Sequence, residues 1–145
     1  MKTTNLTQRP PRSPRVRLGG FTILPRVLDK ARATVEGTNG DYKFNNPLDT
    51  LLFGFAGVEA AAFLAKVREG AGDVEMLGWF ASQAGKSPHE IEAWSRWSES
   101  YVGNDPETRE WLTGRIKELD ARRTDIGSIF DYLDLDDYIS FGGQA

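Results

Sequence analysis

The chain has 145 residues, 39% of them hydrophobic, with 18 basic and 21 acidic side chains and a formal net charge of −3. One domain of that size can bury roughly two thirds of its unfolded surface, so a single ordinary core is expected. The lack of cysteine removes disulfides, thiolate metal sites and cysteine nucleophiles, and the acidic balance argues against a general nucleic-acid binder.

The first stretch, MKTTNLTQRPPRSPR, has no apolar signal core. Proline fixes φ and disfavours helix at the residue before it, so residues 1–20 are expected to form an extended Arg/Pro-rich segment. Its glycines, Gly19 and Gly20, read as a flexible joint. Residues 21–145 then form a single α-helical domain. Thr22 is placed to cap a helix over Ile23–Val35, with Leu24, Val27, Leu28, Ala31 and Val35 on one face and Pro25 tolerated in the first turn. The next segment, EGTNGDYKF, is the one place for strands, because Asn39-Gly40 is a tight-turn signal and Tyr42 and Phe44 suit a short hairpin arm.

Local start signals mark the later helices. Asn46 caps a helix with Pro47 at its first position and Asp49 in its first turn, ending near Gly57. The following VEAAAFLAKVREG turns Ala60, Phe63, Leu64 and Val67 to one side and stops at Gly70. Asp73 is expected to cap a helix whose apolar positions are Val74, Leu77, Phe80, Ala81 and Ala84. Ser87 and Glu90 form a capping box with Pro88 between them, and that helix presents Ile91, Trp94, Trp97 and Tyr101. Asp105-Pro106 opens a long helix with Leu112, Ile116 and Leu119 inward. A last short helix covers Ile126–Leu133, and the chain frays at FGGQA. The expected fold is mainly α: a compact domain of about six helices, a short hairpin near Asn39-Gly40, and the N-terminal segment packed on the domain. The longest apolar run, LLFGFAGVEAAAFLAKV, is too short for a span and carries Glu59, so no membrane segment is expected and the cytoplasm is the default compartment.

Chemistry is sparse. Eight basic residues fall within Met1–Arg32 against Asp29 alone, whereas DIGSIFDYLDLDD near the C-terminus is acidic. Arginines followed by two glycines and a helix start suit an anion, because free amides and guanidinium forks both bind carboxylate or phosphate. Arg15, Arg17, Gly19, Gly20, Arg26, Lys30 and Tyr42 are the candidate ligand-binding residues, set against arginines that merely pair with internal carboxylates. Asp29, Tyr42 and Asp49 could supply an acid–base pair, although Asp49 already has a capping role. His89 is the only histidine and should face solvent, so no zinc site is expected. Read as a calcium loop from Asp134, the required glycine is Ile139 and the closing glutamate is Ala145, which fails. There is no GxxxxGK[ST] loop, and no cofactor is expected.

The segments RPPRSPRVRLGGFTILPRVLDKARA, GDYKFNNPLD, GVEAAAFLAKVREGAGDVEMLGWF and KSPHEIEAWSRW, taken in that order, resemble a family of small bacterial proteins known as a domain of unknown function. Relatives often carry cysteine before PLD and sometimes in the first helix, where this chain has Asn46 and Ala31. The resemblance implies a bacterial single-domain protein whose arginine–proline segment adjoins the domain as a structured collar, and it implies no activity. Three function classes follow from the residues: a binding or regulatory module for an anionic small molecule or an acidic protein surface, a small acid–base enzyme, or a self-associating homo-oligomer in which basic N-terminus meets acidic C-terminus. The first is favoured.

Overall fold

The computed structural model describes residues 4–145. Residues 1–3, the first part of the expected extended segment and the site of Lys2, lie outside the described residues. Among the described residues seven helices follow in order: α1 Leu24–Glu36, α2 Pro47–Ala56, α3 Ala60–Arg68, α4 Asp73–Ala84, α5 Pro88–Glu99, α6 Pro106–Asp120 and α7 Ile129–Ser140. The mainly α expectation holds. The chain divides into two compact units, Met1–Ser95 and Arg96–Ala145, with the boundary inside α5.

The capping signals act as expected. The Asn46 side chain accepts from the Asp49 amide, and the Asp49 carboxylate accepts from the Asn46 amide, closing a capping box on α2. Ser87 and Glu90 do the same at α5, and Asp105 accepts from the Thr108 amide at α6. Each satisfies amides that a helix start leaves without partners.

Several boundaries differ from expectation. The hairpin at Asn39-Gly40 does not form, and no strand occurs among the described residues. The backbone groups that a ladder needs are used elsewhere: the Thr38 amide donates to Ala33 and the Thr38 carbonyl accepts from Leu6, while the Asn39 side chain closes the turn onto the Tyr42 carbonyl. The β-bridge among the described residues is instead Leu18↔Phe21, around Gly19 (φ 58°) and Gly20 (φ 84°). Two positive φ angles match the twist of a two-residue reversal, so these glycines make a fixed turn rather than a flexible joint. Thr22 is not the cap of α1. Ile23 holds that position at φ 72° without a side-chain cap bond, a costly conformation for a β-branched residue. Asp73 is the first residue of α4, not its cap, which is Gly72.

The last helix starts at Ile129, capped by the Ser128 hydroxyl, and runs on to Ser140. Tyr132, Leu135 and Ile139 continue one apolar row through the acidic stretch, and burial of Tyr132 and Leu135 carries the helix past Leu133. The C-terminal glycines do not fray either. The Gly142 and Gly143 amides donate to the Ile139 and Tyr138 carbonyls, closing the end of α7.

In the first unit an aromatic chain forms the centre. Phe21 meets Phe80 edge-on at 5.0 Å, Phe80 meets Phe63 at 6.0 Å, and Phe63 meets Phe53 at 5.2 Å. Phe55 stacks on Trp94 at 5.0 Å. Every residue of α1 from Leu24 to Ala33 is buried, the charged ones included, so the expected one-sided apolar face is only half of its environment. Val35 is exposed instead of buried. On α4 the buried positions are Met76 and Phe80, and Val74 is 84% exposed. In the second unit α6 packs on α7, with the Trp111 ring edge-on to Tyr132 at 5.6 Å and Leu112, Phe130 and Leu135 buried. Trp97 and Trp111 are exposed. Among the described residues no single helix is long and apolar enough to cross a membrane; α2 and α3 together meet the length and composition but are bent by 93°.

Candidate functional site

The opening segment is a strap laid antiparallel along α1. The Leu6 amide donates to Thr38 just past the end of the helix, Arg12 reaches Asp29 in the middle, and the Pro14 carbonyl accepts from Ile23 at the start. The strap is not extended throughout, contrary to the expectation for residues 1–20: the Gln8 and Arg9 amides donate to the Asn5 carbonyl and the Val16 amide to the Ser13 carbonyl, closing a turn on either side of the prolines Pro10 and Pro11. Leu6, Pro11 and Pro14 are buried under this arrangement. The expected structured collar is therefore present.

Arg12 is its clasp. Its backbone amide donates to Asp29 at 2.8 Å, and its Nε and Nη2 donate to the same carboxylate at 3.0–3.3 Å. Its Nη1 donates to Asp73 at 2.7 Å, and Asp73 also accepts from Arg32 Nη1 at 2.8 Å. Arg32 Nη2 donates to the Ala71 carbonyl. The alternation Asp29–Arg12–Asp73–Arg32 thus ties the strap, α1 and the start of α4 into one charge-balanced network. Its electrostatics follow. Hydrogen bonding from Arg12 holds the Asp73 carboxyl below its ordinary value, against the opposing effect of burial. Burial acts to lower the Arg12 pKa, yet its bonds to Asp73 and Asp29 hold it above the ordinary guanidinium value.

The other expected site residues are distributed around this network. Arg26 is buried, donates from Nη1 to the Arg12 carbonyl at 3.2 Å, and lies 5.6 Å from the centre of the Tyr42 ring. Lys30 is 1% exposed and donates to both oxygens of Asp49 at 2.8 Å and to the Lys43 carbonyl at 3.1 Å. Asp49 is 0% exposed and accepts also from the Asn45 and Asn46 amides. Gly19 and Gly20 do not line an open cradle: a Cβ on Gly19 would come within 2.4 Å of Leu77, and one on Gly20 within 3.2 Å of Ile91. The Ser95 hydroxyl donates to the Gly20 carbonyl and accepts from the Thr22 amide, fastening the turn to α5. Arg17 pairs with Glu92 on the same helix. Arg15 stands at the exposed bend Ser13–Val16, its amide donating to the Ser13 hydroxyl. His89 is exposed, as expected.

The structure thus brings Arg26 to the Tyr42 ring, holds Lys30 against Asp49, and leaves Arg15 at the surface of the strap. Arg12, Asp73 and Glu92 were missed by sequence reasoning. Their partners lie between 17 and 75 residues away, and no local spacing rule reaches that far.

The family described as domain of unknown function (DUF5069) matches residues 8–139. The chain belongs to the DUF5069 family. The match takes in the Arg12 clasp, α1 and nearly all of α7, so the resemblance read from the arginine–proline segment onward is borne out. No curated protein matches this DUF5069 chain.

Proposed function

We propose that this DUF5069 chain is a binding module that receives an anionic group, a carboxylate or phosphate of a small molecule or of an acidic protein surface, on the arginines of its strap. The observation that carries the reading is the pinning of the strap on both sides of Arg15: by the Arg12 clasp and the Pro14–Ile23 bond before it, and by the Gly19-Gly20 turn after it. A side chain presented by ordered backbone loses less freedom on binding than one on a mobile arm. Arg15 and Arg17 are the contact residues. An incoming anion competes with Glu92 for Arg17. The acid–base alternative has less support, because Asp29 and Asp49 are each held by a cation.

The test is a thermal-shift screen against phosphates, nucleotides, organic acids and acidic peptides. A ligand at a hundredfold its dissociation constant adds about 2.7 kcal/mol, a rise of several degrees for a chain of this length. Stabilisation by one anionic class, lost in the Arg15→Ala, Arg17→Ala double variant with unchanged helical content, is the expected outcome. Equal stabilisation of the double variant overturns the reading.

A further inference from the structure

We propose that the outward face of α6 pairs antiparallel with the same face of α6 in a second copy of this chain. An open groove of about 350 Å³ runs along that face, lined by Arg109, Glu110, Thr113, Gly114 and Lys117. All five are exposed, and they recur at spacings of three, four and seven, so they share one side of the helix. The opposite side carries the buried Leu112 and packs on α7. Gly114 opens the groove. Glycine inside a helix is destabilising relative to alanine, yet a Cβ at Gly114 would meet nothing within 4 Å among the described residues. The chain's own packing therefore does not call for glycine there, whereas a second helix backbone approaching closely does.

The charges on this face complement themselves in one orientation. Glu110 and Lys117 stand on either side of Thr113 and Gly114. When a second α6 runs antiparallel across the groove, centred between Thr113 and Gly114, Glu110 of each copy lies level with Lys117 of the other. Each pair then sits about 5 Å along the axis from the centre. Two reciprocal ion pairs form about a two-fold axis, the isologous arrangement of a closed dimer. A parallel pairing in the same register sets Glu110 against Glu110 and Lys117 against Lys117, which like-charge repulsion disfavours. Both side chains are available for this pairing. Among the described residues neither Glu110 nor Lys117 enters an ion pair or a side-chain hydrogen bond, whereas nearby Glu118 pairs with Arg115 and Asp120 with Arg122. The Thr113 hydroxyl donates to the Arg109 carbonyl at 3.0 Å, so covering it strands no polar group. The groove offers far fewer residues a side than the roughly 20–30 of a stable dimer, so the association is weak, screened by salt and seen at high protein concentration. It uses no residue of the strap and stands apart from the anion-binding reading.

The test follows the mass of the full chain by sedimentation from micromolar to millimolar concentration, at low and high salt. At low salt the mass is expected to rise toward two copies and stop there, and to fall back at high salt. Glu110→Lys and Lys117→Glu should each weaken pairing by about tenfold, because the two-fold axis counts every lost attraction and every new repulsion twice. Exchanging both charges in one chain, Glu110→Lys with Lys117→Glu, should restore it. Mixing the two single variants should likewise give a dimer that neither forms alone, a result that a merely structural role of these residues does not produce. Gly114→Gln should abolish pairing without lowering the melting temperature, since its side chain enters open space in its own chain. A mass that stays at one copy up to millimolar concentration, growth beyond two copies, equal association in the parent and the single variants, or no rescue by the exchange overturns the proposal.

Discussion

Lys30 and Asp49 show what burial does to a charge. Both are removed from water, and their bonds to each other and to the 43–46 backbone replace the lost hydration. Removing one partner from such a pair strands the other. Lys30→Met is therefore expected to destabilise by about 3–5 kcal/mol, measured by denaturant unfolding. A loss below about 1 kcal/mol would mean that water reaches Asp49. Asp73 gives a pH dependence of definite sign. Its folded pKa is depressed, so its contribution is fully present above its unfolded value near 3.8 and is lost as pH falls through the lower folded value. Stability measured against pH should drop in that acid window, and Asp73→Asn should flatten the drop. At this scale the sequence was half legible. Asn46 and Asp49 could be read as caps because capping is local. That Asp49 also holds Lys30, nineteen residues away, could not be read, because nothing in a helical spacing links the two.

Among the elements, helix starts were the most legible feature and turns the least. Asn46-Pro47, Ser87-Pro88 and Asp105-Pro106 open helices through side chains that reach only two or three residues, so sequence suffices. Ser87→Ala should cost α5 about 1 kcal/mol, read as a lowered melting temperature. Glycine turns depend on what surrounds them. Gly37 ends α1 at φ 74° with open space where a Cβ would go, whereas Gly19 at φ 58° faces Leu77. Gly37→Ala should cost about 1 kcal/mol for the left-handed conformation alone. Gly19→Ala should cost more, about 2–3 kcal/mol, because Leu77 must also move. Equal losses in the two variants would show that Leu77 yields freely. The same dependence on surroundings explains Asn39-Gly40, whose sequence favours a hairpin but whose flanking backbone is already bonded to Ala33 and Leu6.

For the whole molecule, the division into two compact units gives an expectation about cooperativity. Leu112 is buried on α6 within the second unit. Leu112→Ala should cost about 2–5 kcal/mol, and amide hydrogen exchange should show protection falling more over residues 96–145 than over the first unit. Equal losses in both would mean that the chain opens as one block. The strap is the other whole-molecule feature. Basic residues concentrated before Arg32 could be read as a free arm, a ligand platform or an internal clasp, and composition alone did not choose. Arg12, the residue that fastens it, was not singled out among its neighbours, because every arginine in RPPRSPRVR looks alike until Asp29 and Asp73 are placed beside one of them.

By itself the sequence determined what is local or compositional: the helical class, the capped starts and the absence of thiol chemistry. Each follows from groups within a few residues of one another. Only the tertiary structure decided which charges on α1 are buried, which arginine is the clasp, where the two-residue reversal forms, and how far the last helix runs. Those outcomes rest on partners brought together across tens of residues, and the energy of burying a charge or closing a turn depends on what stands there.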